Sequence, residues 1–194
     1  IAGLEGVPPE STSPDLDRLQ IVWEYHSTKG WTELGSSTRS EAIPARLEFD
    51  DQTRAFTVGG DEQTPRLVTF TVPIAGGSDP AFEKTVVNDQ EGYWIRARIA
   101  AGSYNVPPSV DITSRLRGSY TFIEAVTYTP MIKTLQVTYS DYGSEIRARN
   151  IASCFSQVDW MTRDHTPELA AGRPVAAFSA REEGPALYLG LNPA

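Results

Sequence analysis

Residues 93–108 decide the fold class: Tyr93-Trp94-Ile95-Arg96-Ala97-Arg98-Ile99, then Gly102, Tyr104 and the pair Pro107-Pro108. In a strand, successive side chains point to opposite faces. Tyr93, Ile95, Ala97 and Ile99 therefore share one face, and Trp94, Arg96 and Arg98 the other. Ile21-Val22-Trp23-Glu24-Tyr25, followed by Gly30-Trp31, has the same texture and predicts a second strand and a hairpin. The connecting loop reads as longer than the favoured two residues.

The same alternation continues along the chain. Strands are predicted at Ala45–Phe49, Arg54–Val58, Leu67–Val72 (closed by Pro73), Thr85–Val87, Val110–Leu116, Thr121–Tyr128, Lys133–Tyr139, Val175–Ser179 and Ala186–Leu191. Residues 35–46, 75–92 and 162–174 read as connections rich in turn formers. Glu145–Ile151 fits a strand or a helical turn equally well. No helical periodicity runs beyond about three turns, which argues against alternating parallel βαβ units. The expectation is an all-β chain of antiparallel β-sandwich modules with long loops.

Bulk composition excludes several classes. The chain has 194 residues, 40% hydrophobic and 22% charged, as globular domains do. Its net charge of −8 makes it a poor ligand for nucleic acid or an anionic membrane. No apolar run reaches the roughly 18 residues that a membrane-spanning helix requires. Residues 1–20 lack the basic and apolar regions of a signal peptide.

Reaction chemistry has few footholds. His26 and His165 are the two histidines and neither adjoins a nucleophile motif. Cys154 is the one cysteine and reads as a small buried apolar residue. A zinc site needs three or four convergent ligands, and this sequence does not supply them. Asp50-Asp51 and the loop from Asp79 to Asp89 place carboxylates in turns without the spacing of a calcium loop. Glu24, Glu33, Glu48 and Glu91 are suitable for glycoside hydrolysis by residue type alone. Gly59-Gly60 and Gly76-Gly77 lack the Lys-Ser/Thr of a phosphate loop. The reading predicts no catalytic residue, no metal and no cofactor.

Aromatic residues remain. Trp23, Trp31 and Trp94, with Tyr25, Tyr93 and Tyr104, fit core packing, a protein interface or a sugar-binding platform. Trp31, Trp94, Arg96 and Arg98 are the candidate interface residues, because Trp and Arg concentrate at interface hot spots. A carbohydrate-binding β-sandwich using surface aromatics is the alternative function.

In order along the chain, Trp23-Glu24-Tyr25, Gly30-Trp31-x-x-Leu34, Asp51-x-Thr53-x-x-Phe56, Val68-x-Phe70-x-Val72-Pro73, Tyr93–Arg98, Gly102-x-Tyr104 and Pro107-Pro108 form a pattern. It resembles modules of the baseplate-J-like wedge proteins of contractile injection systems, the phage-tail-like particles. Ala186-Leu187-Tyr188-Leu189-Gly190-Leu191 resembles the strand that opens such a module.

The resemblance implies a structural, non-enzymatic wedge component that contacts other wedge, hub and sheath subunits in a large assembly. It implies assembly in the cytoplasm and a place in a particle that can be released from the cell. It also implies a piece of a larger multidomain chain. Residues 1–108 would be one module lacking its first strand, 109–184 a second β-rich segment, and 185–194 the first strand of a following module.

Overall fold

The computed structural model describes residues 2–5, 14–45, 48–60, 64–71, 73, 79–106, 108–114, 119–127, 130–135, 137–141, 144–148, 153–158, 161–178 and 185–191. Val72, Gly76, Gly77, Pro107, Leu116, Tyr128, Arg149, Ile151 and Ser179, which entered the sequence reading, lie outside them.

The strands begin with β1 (Ala2–Glu5), β2 (Gln20–Ser27), β3 (Gly30–Ser37), β4 (Ala42–Pro44), β5 (Phe49–Asp51), β6 (Val68–Phe70), β7 (Lys84–Val87) and β8 (Gln90–Ala101). They continue with β9 (Asn105–Val106), β10 (Ser109–Ser114), β11 (Ser119–Ile123), β12 (Val126–Thr127), β13 (Met131–Thr134), β14 (Val137–Asp141) and β15 (Ser144–Ala148). The last are β16 (Ser153–Val158), β17 (Met161–Asp164), β18 (Val175–Ala176) and β19 (Ala186–Leu191). Two short helices, α1 (Pro14–Asp17) and α2 (Thr166–Ala170), complete the set. The chain is all-β, and every strand pair is antiparallel. No helix among the described residues is long and apolar enough to cross a membrane.

One sheet organises the molecule. Seven of its eight strands run in the order β17-β16-β19-β8-β2-β3-β4, and the eighth, β7, pairs with β8 off that path. Its long members are the segments with the clearest alternation. Ile21, Trp23 and Tyr25 of β2 stand opposite Ile99, Ala97 and Ile95 of β8. Leu187 and Leu189 of β19 stand opposite the same Ala97 and Ile95. These residues form the core face, joined by Leu16, Leu19, Phe56, Ile132, Val175 and Phe178. The other sheets among the described residues have two or three strands, so no sheet of comparable size closes over the large one.

Several boundaries differ from the sequence reading, each for a local reason. The β2–β3 hairpin closes with two residues, Thr28 and Lys29, because Gly30 takes φ +89° and lets the strand resume at once. Asn88 and Asp89 both take positive φ, the backbone of a tight two-residue hairpin turn. That turn converts the end of the expected 75–92 connection into the β7–β8 hairpin. Residues 35–46 contain the end of β3 and all of β4. The predicted 162–174 loop contains the end of β17 and all of α2. Residues 144–148 resolve to strand β15.

Arg54–Val58 is a turn and not a strand. Arg54, Ala55 and Phe56 have φ of 49°, 56° and 56°, three consecutive left-handed residues. Such residues cost about 1–2 kcal/mol each, so surrounding contacts must hold them.

Ala186–Leu191 lies between β8 and β16, hydrogen-bonded to both, in the middle of the large sheet. Here it fills a central strand position next to Tyr93–Arg98.

Candidate functional site

Two clusters gather the residues singled out by sequence, one beneath the large sheet and one on its outer face.

The inner cluster centres on Asp51, which is fully buried. Its Oδ2 accepts from Trp23 Nε1 at 3.3 Å and Ser37 Oγ at 2.5 Å. Its Oδ1 accepts from the Thr53 backbone N–H at 2.8 Å and Thr53 Oγ1 at 2.5 Å. Thr53 Oγ1 then accepts from the Phe56 N–H at 3.1 Å, and Thr53 O accepts from the N–H groups of Thr57 and Val58. Tyr104 donates its hydroxyl to Ala55 O at 2.6 Å. These bonds hold the left-handed turn. Aromatic rings enclose it: Trp23 stacks on Phe56 at 5.7 Å, Phe56 meets Phe178 edge-on at 5.4 Å, and Tyr104 stacks on Phe178 at 5.9 Å. Burial, and secondarily the Asp51 charge, raises the Tyr104 phenol well above its usual pKa.

The outer cluster follows from strand register. Glu24, Arg96 and Tyr188 are cross-strand neighbours on β2, β8 and β19. His26 lies two residues beyond Glu24 on the same face and pairs with Trp31 of β3. Arg96 Nε meets Glu24 Oε2 at 2.6 Å, and Arg98 Nε meets the same oxygen at 3.4 Å. The Arg96 guanidinium lies over the Trp31 ring, 4.3 Å from its centroid. Trp31 also meets Tyr188 at 5.7 Å and His26 at 5.4 Å, both edge-on.

Of the four candidate interface residues, Arg96, Arg98 and Trp31 thus sit together, whereas Trp94 does not join them. It is 1% exposed and donates Nε1 to Thr85 O at 3.1 Å. Its outward-facing strand position lies opposite Gly190, and Gly92 also lies against its indole. Alternation alone does not reveal that this outward position is covered.

Sequence reading missed the partners of His165. Its Nε2 is 2.8 Å from Ser156 Oγ, and both residues are 4% exposed. The His165 N–H donates to Cys154 O, and Thr166 Oγ1 accepts from the Cys154 N–H. Ser156 pairs with Leu187, which puts its hydroxyl on the buried face of β16, a register that residue order does not reveal. Burial, then the Arg163 charge, lowers the His165 pKa, against opposing contributions from Glu168 and Asp164. Burial, then Asp164, pushes the Cys154 thiol up to about 12. These contacts tie the Ser156 and His165 side chains and the Cys154 backbone together at a buried corner.

Among the described residues, no group of three or more His, Cys, Asp or Glu could hold a metal ion. Glu24 is bound by two arginines; Glu33, Glu48 and Glu91 are exposed. No family model, curated protein or solved structure matches the chain.

Proposed function

We propose that this chain is a structural baseplate wedge component of a contractile injection system or phage-tail-like particle, acting through protein–protein contacts. One observation carries the reading. Trp23, Asp51, Thr53, Phe56 and Tyr104, spread over the ordered motifs that carry the resemblance, meet in a single buried hydrogen-bonded cluster. The pattern therefore describes one connected structural unit rather than scattered similarities.

In this reading the chain performs no reaction and needs no cofactor. It joins other wedge, hub and sheath subunits during assembly in the cytoplasm, and leaves the cell only as part of the particle. The Trp31–Arg96–Arg98 face supplies a contact surface. The sugar-platform alternative has less support, because Trp94 is buried and Arg96 already occupies one of the two indole faces of Trp31.

The test is co-purification from the native source. Recovery with identified sheath and hub subunits supports the wedge. Recovery without them, together with glycan binding that disappears in Trp31→Ala, replaces it with the carbohydrate reading.

A further inference from the structure

We propose that the corner between β16 and α2 is an acid-responsive switch: on gaining a proton, His165 pairs with the buried Oε2 of Glu168 and resets α2 against β16. The proposal is independent of the wedge reading and concerns a part of the fold that reading does not use.

Glu168 carries the argument. Its Oε2 is buried and has no hydrogen-bond partner. A buried carboxylate oxygen without a donor is costly, and native folds rarely keep one. His165 stands three residues earlier, at the N-cap of α2, and side chains at that spacing meet on one face of a helical turn. The charges of both Glu168 and Asp164 act on the His165 ring. Asp164 is already engaged, because its Oδ1 accepts from the Thr166 N–H at 2.8 Å. Glu168 has an acceptor to spare.

His165 supplies the donor. Its Nε2 lies 2.8 Å from Ser156 Oγ. A neutral imidazole donates from one nitrogen, whereas the imidazolium donates from both, and a carboxylate binds a charged donor more tightly. With a proton taken from solvent, Nε2–H keeps Ser156 as its acceptor and Nδ1–H donates to Glu168 Oε2.

The surroundings set the pH range. Burial, then the Arg163 charge, lowers the His165 pKa, and Glu168 and Asp164 oppose them. Protonation of the folded chain therefore falls below the ordinary 6.5. Among the described residues, these three side chains on β17 and α2 are the charged groups that act on the ring. β16 adds the Cys154 thiol, which stays neutral because it is pushed up to about 12, and β19 faces β16 with Leu187 and Leu189.

α2 can respond because little holds it. None of its residues is fully buried, and Leu169 is half-buried against the core. Its N-terminal end is tied to Cys154, whose carbonyl accepts from the His165 N–H at 2.8 Å and whose N–H donates to Thr166 Oγ1 at 3.0 Å. Elements with few buried contacts move at low cost.

The test follows the imidazole nitrogens of His165 by NMR in the isotope-labelled full chain, from neutral to mildly acidic pH, with His165→Gln identifying its signals against those of His26. Both nitrogens should become N–H donors in one step. The backbone amides of Thr166, Glu168, Leu169 and Ala170 should shift with the same midpoint. Glu168→Gln should move the His165 midpoint to lower pH and abolish the amide shifts. In the unmodified chain, the side-chain carboxyl carbon of Glu168 should report the His165 midpoint, a readout independent of how the variants fold.

A midpoint that Glu168→Gln leaves unchanged or raises would overturn the proposal. So would α2 amides that stay still while His165 titrates, a Glu168 carboxyl carbon that does not follow His165, or unfolding of the chain before His165 takes its proton.

Discussion

Trp23 and Asp51, separated by 28 residues, are joined by a hydrogen bond of 3.3 Å from the indole Nε1 to Oδ2. Trp23 belongs to the core face of β2, and Asp51 ends β5 where the chain enters its left-handed turn. The bond ties the large sheet to the segment that covers it. Asp51→Ala removes the common acceptor of Trp23, Ser37 and Thr53 in a fully buried setting. We predict a loss of about 3–5 kcal/mol in unfolding free energy, measured by urea titration.

The same carboxylate acts on Tyr104. In Asp51→Asn the phenol should titrate at lower pH than in the parent chain, because the Asp51 charge contributes to its upward shift. It should still titrate above an ordinary tyrosine, because burial is the larger cause. Ultraviolet difference titration of Tyr104 against a Tyr104→Phe reference separates it from the other tyrosines. A titration unchanged by Asp51→Asn contradicts the coupling.

Gly35 lies where β3 passes Phe49. An added Cβ would overlap the Phe49 ring and lie 2.9 Å from Ile43 O. Gly35→Ala should cost about 1–3 kcal/mol through overpacking, seen as a lower melting temperature. An unchanged melting temperature would show that Phe49 has room to move.

Cys154 offers a clean probe of the β16 corner. It is 1% exposed and its thiol is pushed up to about 12. At pH 8 the thiolate fraction is then about a thousandfold below that of a free cysteine. Labelling by a thiol-specific disulfide reagent should follow unfolding, and become fast only in denaturant. Fast labelling of the folded chain would mean that the corner is open.

His165 should make stability depend on pH. Its folded pKa is lowered from 6.5, so the unfolded chain binds the proton more readily. Its contribution is complete above 6.5 and is lost as pH falls through the lower folded value. His165→Gln should reduce the fall in urea midpoint between neutral and mildly acidic pH. An identical fall in both proteins would assign the effect to other groups.

How much was legible in the sequence depended on range. β2 and β8 alternate so regularly that their core faces could be assigned from residue order, and Trp94, Arg96 and Arg98 fall together on the other face of β8. That Trp94 is buried on that face was not legible, because its cover lies beyond its own strand, with Thr85 O accepting from its indole across a turn. The Arg54–Val58 segment has strand-forming composition, yet its backbone answers to acceptors and donors on Asp51, Thr53 and Tyr104. The Ser156–His165 contact joins a strand residue to the residue before α2 and has no local signature. Periodicity reports which face a residue occupies; it does not report which distant group meets it there.

The central claim is that this chain works as a wedge component at the baseplate. Its most direct test is immunogold labelling of negatively stained contractile particles with an antibody raised against the chain. The account predicts gold at the baseplate end of the sheath in particles from the native source. Particles that carry baseplates but no label there, with the chain recovered elsewhere in the same preparation, would contradict it.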